Sequence, residues 1–402
     1  MSDWYLTPKH EQLRRTVRVF AETEVAPHIP EMEQSGEVAR ELAFLIAAQG
    51  WIGATIDTEY GGMGAGHLAK TIIVEELARV CAAMGAMVQA SQLGVAKVNH
   101  FGSEQQKQLW LPRFADGSWL PTIAVTEPDS GSHVLGMEAT ARRDGDSYVL
   151  NGRKIYVGNS HIGHVHGVVA RTAPGSKGLT AFLVEADRPG LSPAPHGGTL
   201  GLHGFSFGEL IFDNCRIPVD NRLGAEGDGK DVAYSSSILY GRPNLTAVAL
   251  GIHQAILEEI TRFTTERQRY GKPLHHLPNI RIKVGQIKSR LMTGRLAAYH
   301  AARLLDAGAG RDADLMNAKV TNVELAIDSA RAAMEIEAAA GLFTDRPLER
   351  FLRDIFHIIA PAGTSDIQHL RLAEVALGLD KVEWSQRLAT APPAPPAPVA
   401  LT

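Results

Sequence analysis

Between Trp119 and about Asp231 the helical period that governs the rest of the chain disappears, and this constrains the fold most. Gly, Pro, Asn and Asp recur there every ~8–12 residues, the spacing of turns between short strands. The apolar runs between them are short: Ile123–Val125, Tyr148–Leu150, Val168–Ala170, Ala181–Val184 and Leu210–Phe212. Ser147 to Gly152, then Lys154 to Val157, reads as a hairpin, with Asn151-Gly152 supplying the positive φ of a tight turn. Helical patterns flank this β unit. Leu13, Val17 and Phe20 share one face, Leu42, Phe44, Leu45 and Ile46 open a second helix, and Ile72, Ile73, Leu77 and Val80 fit a third. Downstream, Asn244–Arg269, Asn279–Ala307, Ala313–Ala340 and Ser365–Leu377 are long helical candidates with short links, which predicts an antiparallel bundle. The expected organisation is α+β: a helical domain over 1–118, a β domain over 119–233, and a helical bundle over 234–387. A Pro/Ala-rich tail, 388–402, is expected to be disordered.

Composition narrows the function. The 402 residues carry 40 Lys+Arg against 44 Asp+Glu, a formal charge of −4. That balance argues against a nucleic-acid groove, which needs clustered positive charge. Two cysteines, Cys81 and Cys215, cannot build a disulfide framework or a zinc site, so a reducing compartment is expected. No run approaches the ~18 apolar residues of a membrane helix, so the chain reads as soluble and cytoplasmic. Metal-ligand spacings, a P-loop lysine and a G-x-S-x-G elbow are all missing from the sequence, so no metal is expected. Gly201-Leu202-His203-Gly204 lies in the β region without a following helix, so a dinucleotide fold of the G-x-G-x-x-G type is excluded.

The most informative stretch is Ala124-Val125-Thr126-Glu127-Pro128-Asp129-Ser130-Gly131-Ser132. Backbone N–H groups freed by a tight turn, with the Thr126 and Ser132 hydroxyls, form a neutral hydrogen-bonding ledge suited to a heterocycle edge or a thioester. The stretch resembles the first signature of the acyl-CoA dehydrogenase superfamily, Thr-Glu-Pro-x-Ala/Ser-Gly-Ser. Other blocks resemble that family in the same order. They are Tyr60–Gly64, Leu150–Asn159, Phe212–Pro218, Glu266–Pro273, Glu349–Asp354 and Gly363–Gln368. The resemblance implies a β-barrel or sandwich middle domain, a C-terminal four-helix bundle and bound FAD. It also implies a homodimer or homotetramer, and an acyl thioester substrate on CoA or a carrier protein. Carried over by position, Val125 and Thr126 would meet the flavin edge, and Ser132 the pyrophosphate or thioester. Tyr156 would flank the ring system, and Gly158 would stand where a Thr usually bonds it. Arg267 would pair with a diphosphate across a subunit interface, a bidentate task that suits a guanidinium. Thr364 and Asp366 would lie near the adenosine, and Tyr240 and Arg242 near substrate.

The sequence departs from the family where its chemistry resides. Ala362 stands at the usual position of the catalytic Glu, and Gly241, beside Arg242, at the alternative position. The block that usually reads Gln-x-x-Gly-Gly is Glu335–Ala339, where Glu335 and Glu337 are expected to be solvated charges. Pro278 replaces an expected Gln and His203 an expected Arg, and His203, Tyr240, His253 and Asp366 are candidate polar groups near the flavin. Three readings follow: a thioester oxidoreductase of a specialised pathway, a flavin monooxygenase or oxidase on the same fold, or a non-catalytic FAD-binding protein.

Overall fold

The computed structural model of the chain describes residues 5–379 apart from His196, together with Trp384; the Pro/Ala tail lies outside the described residues. The first helical region runs through α1 (Pro8–Phe20), α2 (Ile29–Ser35), α3 (Arg40–Ala47), α4 (Gly66–Val80), α5 (Ala82–Phe101) and α6 (Glu104–Ala115). Capping boxes start α1, through Thr7 and His10, and α6, through Ser103 and Gln106. Almost every side chain of α5 between Ala82 and Val98 is buried, so it lacks the amphipathic stripe that betrays a surface helix.

The middle region forms β1 (Pro121–Ala124), β2 (Thr140–Asp144), β3 (Ser147–Gly158), β4 (Val165–Arg171), β5 (Leu179–Glu185), β6 (Leu191–Pro193), β7 (Phe207–Pro218) and β8 (Arg222–Leu223). One sheet joins them in the order β6-β7-β3-β2-β4-β5-β8, with β1 parallel to β4. The sheet curls on itself. Tyr148 of β3 and Phe182 of β5 are three strand spacings apart along the sheet, about 14 Å if flat, yet their ring centroids lie 4.8 Å apart.

The hairpin expected at Asn151-Gly152 is corrected. Ser147–Gly158 is one continuous strand, and the hairpin is β2–β3, closed at Asp144–Ser147 through Gly145 at φ 64°. Gly152, at φ 141°, instead marks an irregularity in the pairing with β7, where a Cβ would come within 2.5 Å of Ala139. A positive-φ dipeptide fits a bulge as well as a turn.

The last region comprises α7 (Gly229–Ser236), a π-helical turn (Ser237–Gly241), α8 (Arg242–Glu266), α9 (Pro278–Asp306), α10 (Asp312–Glu337), α11 (Pro347–His357) and α12 (Ser365–Ala376). A small antiparallel arm, β9 (Gln268–Arg269) with β10 (Lys272–Pro273), links α8 to α9. Helix α8 packs against α4, α9 and α10, and α11 and α12 pack on α10. No helix was expected at α11, although Leu348, Phe351 and Ile355 bury one face at helical spacing. One apolar core runs through helices of both regions and the facing side of the sheet, a second fills the curled sheet around Tyr148, Leu150 and Phe182, and a third lies around Ile238, Leu239 and Leu315. Among the described residues no helix is long and apolar enough to cross a membrane, and no acidic, His or Cys group could hold a metal.

Candidate functional site

The ledge after β1 is held in place by a buried ion pair. Lys154 of β3 is fully buried and donates to Glu127 Oε1 at 2.6 Å and to the Val125 carbonyl at 2.9 Å. Glu127 also accepts from the Glu138 and Ala139 amides. The Glu of the signature is therefore a brace rather than a reactive group, and the Thr126 carbonyl accepts from the Ile155 amide at 2.8 Å. Burial pulls the Lys154 ammonium below its usual range, and Glu127 opposes that shift. Lys154 belongs to the Leu150–Asn159 block, but the resemblance gave it no role of its own. Val125 and Thr126 remain half-buried at the ledge, and Ser132 is exposed.

At the end of β3, Tyr156 stands 66% exposed at φ 56°. Its ring stacks on Phe207 at 5.8 Å, and Phe207 stacks on Phe205 at 5.7 Å. Gly158 leaves no room for a hydroxyl-bearing side chain. A Cβ there would come within 2.8 Å of Ala90 and 2.9 Å of Phe205. Asn159, next in the chain, ties the strand to α5 through the Met87 carbonyl at 2.8 Å and Ser91 Oγ at 2.9 Å.

Gly241 and Ala362, far apart in sequence, meet in space. A Cβ on Gly241 would stand 3.3 Å from the Ala362 Cβ, 3.5 Å from Leu93 and 3.7 Å from Ser237 Oγ. Ala362 has φ 56°, a left-handed conformation that is uncommon outside Gly and persists where neighbours over-determine it. Here Gln368 donates to the Ala362 carbonyl at 2.8 Å, and Lys319 donates to the Ile359 and Gly363 carbonyls at 2.7 and 2.8 Å. Burial brings the Lys319 ammonium down to about 8.

The residues flanking Gly241 diverge. Tyr240 is buried, donates to Thr55 Oγ1 at 3.1 Å, and has the Lys70 ammonium 4.1 Å from its ring centroid. The His67 and His100 rings also pack on it, at 5.1 and 6.0 Å. Burial lowers Lys70 to about 7 and His100 to about 4. Arg242 is buried with its Nε unpartnered, and burial lowers the guanidinium to about 10.

Arg267 closes α8, exposed, just before the β9–β10 arm whose tip, Tyr270, is 87% exposed. Thr364 caps α12 by accepting from the Ile367 amide, and Asp366 is exposed in its first turn. His203 lies by Glu33, 3.3 Å away, and Arg353. His253 is fully buried in α8 with both ring nitrogens unpartnered, and burial holds it neutral at about 3. Glu335 is exposed and paired with Lys283, but Glu337 corrects the expectation of a solvated charge. It is 3% exposed with both carboxylate oxygens unpartnered, and burial, then the neighbouring Glu259, pushes it up to about 7. A separate charged cleft between α1, α4 and α9 is internally satisfied: Glu75 pairs with Arg295 and Tyr299, and Glu76 with Arg14, Arg18 and Arg79.

Comparison with known proteins agrees with this architecture region by region. Residues 7–118 match the acyl-CoA dehydrogenase N-terminal domain, 122–215 its middle domain and 227–377 its C-terminal domain. An acyl-CoA dehydrogenase of Bacillus subtilis (strain 168) is 33% identical over 377 residues, covering 93% of this chain and 99% of that protein. The glutaryl-CoA dehydrogenase of Mycobacterium smegmatis in complex with FADH2 is 28% identical with a TM-score of 0.88, covering 94% and 96% of the two chains. The prolyl acyl carrier protein oxidase AnaB is also 28% identical, with a TM-score of 0.87 over 92% and 99%. With all three domains matched in order, and a relative of this identity spanning nearly the whole length, the chain belongs to the acyl-CoA dehydrogenase family.

Proposed function

We propose that this chain is an FAD-dependent oxidoreductase acting on an acyl thioester, carried by CoA or by a carrier protein, with no carboxylate at either family base position. The carrying observation is the meeting of Gly241 and Ala362. The two places from which a family base could reach the substrate converge on one spot, and neither bears a proton acceptor.

The residues present fit FAD. The ledge offers half-buried Thr126 and exposed Ser132 hydroxyls, and Tyr156 projects an aromatic face beside it. Neutral donors suit a flavin edge, and an exposed Arg267 suits a diphosphate. When bound, FAD supplies the two-electron acceptor that these side chains lack. Val125 and Thr126 would border its ring edge, Ser132 its pyrophosphate or the thioester, and Tyr156 its ring face, with Gly158 giving up the usual Thr hydroxyl. Thr364 and Asp366 would lie toward adenosine. Arg267, exposed at the end of α8, would serve the partner subunit of a homodimer or dimer of dimers in the cytoplasm. Tyr240 and Arg242 would border substrate, orienting it without accepting its proton.

A positioned general base contributes ~10²–10⁴ in rate. Without one, α-proton abstraction from a simple saturated acyl chain is slow. The same observation favours a second reading, an oxygen-using or decarboxylating reaction that needs no such abstraction. The test is anaerobic flavin bleaching of the FAD-loaded protein by butyryl- to palmitoyl-CoA, with oxygen uptake followed in parallel. Slow bleaching throughout is expected. Rapid bleaching by any of them would show that the missing carboxylate does not matter, and a protein that takes up no FAD would end the flavoprotein reading.

A further inference from the structure

Resting on the thioester reading, we propose that the acyl part of the substrate carries an N–H or O–H donor, received by the buried amide oxygens of Asn244 and Gln89 one helical turn from Gly241 and Leu93. Asn244 follows Gly241 by three residues and Gln89 precedes Leu93 by four. Residues so spaced on a helix are neighbours on one face, about 5–6 Å apart. Gly241, directly before α8, already faces Leu93 of α5, so the amides occupy the next layer of the same interface. Contacts agree: Asn244 Nδ2 donates to Gln92 Oε1 at 3.1 Å and to the Gln89 carbonyl at 3.4 Å. Ala90, beside Gln89, is the residue that crowds Gly158 at the end of β3. Through Ala90 and Leu93, the segment of α5 that carries Gln89 and Gln92 packs against both the end of β3 and Gly241.

The network leaves acceptors over, and it does so for a reason. Gln92 Nε2 donates to the Trp51 carbonyl at 3.2 Å, which turns Gln92 Oε1 toward Asn244. Asn244 must then present its NH2 to two oxygens. Flipping Asn244 would set its oxygen against both, and flipping Gln92 as well would set Gln92 Oε1 against the Trp51 carbonyl. Asn244 Oδ1 is consequently buried without a donor, and the Gln89 side-chain oxygen, outside this network, is also buried without one. Asn244 is fully buried and Gln89 is 8% exposed. Buried acceptors left unmet disfavour an all-hydrocarbon neighbour and favour one that brings a donor. Sites that hydrogen-bond a substrate group discriminate strongly against the analogue lacking it.

The test uses the FAD-loaded full chain under anaerobic conditions. Binding of butyryl-, 3-hydroxybutyryl-, 4-hydroxybutyryl- and 4-aminobutyryl-pantetheine is measured by calorimetry and by perturbation of the flavin spectrum. At least one donor-bearing thioester is expected to bind about tenfold more tightly than butyryl-pantetheine, the size of one net hydrogen bond or more. Asn244→Leu should erase that preference while keeping or improving butyryl binding; Gln89→Met provides the same readout if Asn244→Leu does not fold. Equal binding of all four by the wild type, or a preference that survives both substitutions, overturns the donor proposal and leaves the thioester reading standing. Failure of all four to bind overturns both.

Discussion

Lys154→Met removes the ammonium that holds the ledge while keeping an unbranched apolar stem. In the native chain Lys154 is fully buried and Glu127 is 5% exposed, with 2.6 Å between the charges and a second bond from Lys154 to the Val125 carbonyl at 2.9 Å. Taking away one member leaves the Glu127 carboxylate buried with only the Glu138 and Ala139 amides to satisfy it. Breaking a buried pair in this way costs about 3–5 kcal/mol, whereas replacing both members by groups of similar volume is often close to neutral. Glu127→Gln with Lys154→Met should therefore recover much of the loss, giving a coupling of about 2 kcal/mol or more in a double-mutant cycle. The assay is native-state hydrogen exchange at the Ile155 amide, which bonds the Thr126 carbonyl and so reports the ledge directly. FAD retention should fall in the single variant, because Val125 and Thr126 lose their fixed position. Additive single losses, with a coupling under about 0.5 kcal/mol, would refute the idea that Lys154 acts through Glu127.

Three other perturbations probe separate parts of the molecule. Ala362→Glu keeps a backbone that already tolerates a Cβ at φ 56°, with Gly241 leaving space opposite, and should raise anaerobic bleaching by simple acyl-CoA by ~10²–10⁴; no gain would remove that position as the site of a lost base. Arg267→Ala should weaken FAD retention with little change in thermal midpoint, since the residue is exposed and packs in no core; unchanged FAD affinity would take Arg267 off the site. Glu337 is raised to about 7, so its folded form holds a proton that the unfolded chain releases nearer 4.5. Stability should fall as pH rises between those values and level off above about 7, and Glu337→Gln should flatten that part of a denaturation series; an unchanged slope would count against the buried carboxyl.

Much of the fold was legible because its regions differ in period. The β region announced itself by turn spacing, α4 by its apolar spacing, and α8, α9 and α10 by their length and short links. What stayed hidden follows from the same logic. Helix α5 is buried nearly all round and has no stripe to read. The Asn151-Gly152 pair signalled positive φ, but whether that φ serves a turn or a bulge depends on the partner strand, β7, some 60 residues away. The ordered motifs drew attention to the ledge and to Gly241 and Ala362, which the fold brings together. They did not reveal that Glu127 is engaged as a brace, because a carboxylate in a signature looks the same whether it reacts or is paired.

Glu337 and Asn244 show where one-dimensional reading stops. Glu337 ends α10 in an Ala-rich stretch that looks like a solvated helix terminus, yet it is buried, and the following turn packs close, a Cβ at Gly341 meeting the Glu337 Cβ at 3.2 Å. Asn244 sits among apolar residues of α8, where an isolated amide reads as a minor blemish. Only the approach of α5 brings Gln89 and Gln92 to it, and only the Trp51 carbonyl settles which way the amides point. In both cases the periodicity gives the face of the helix, while the element packed on that face decides whether a polar group is satisfied. A family resemblance passes through the same filter. It singles out Gly241 and Ala362 from separate blocks, but their adjacency is a property of the packed chain, and so are the unmet acceptors on α5 and α8. The unmet amide oxygens at the α5–α8 interface are therefore a feature that no single motif of the sequence displays.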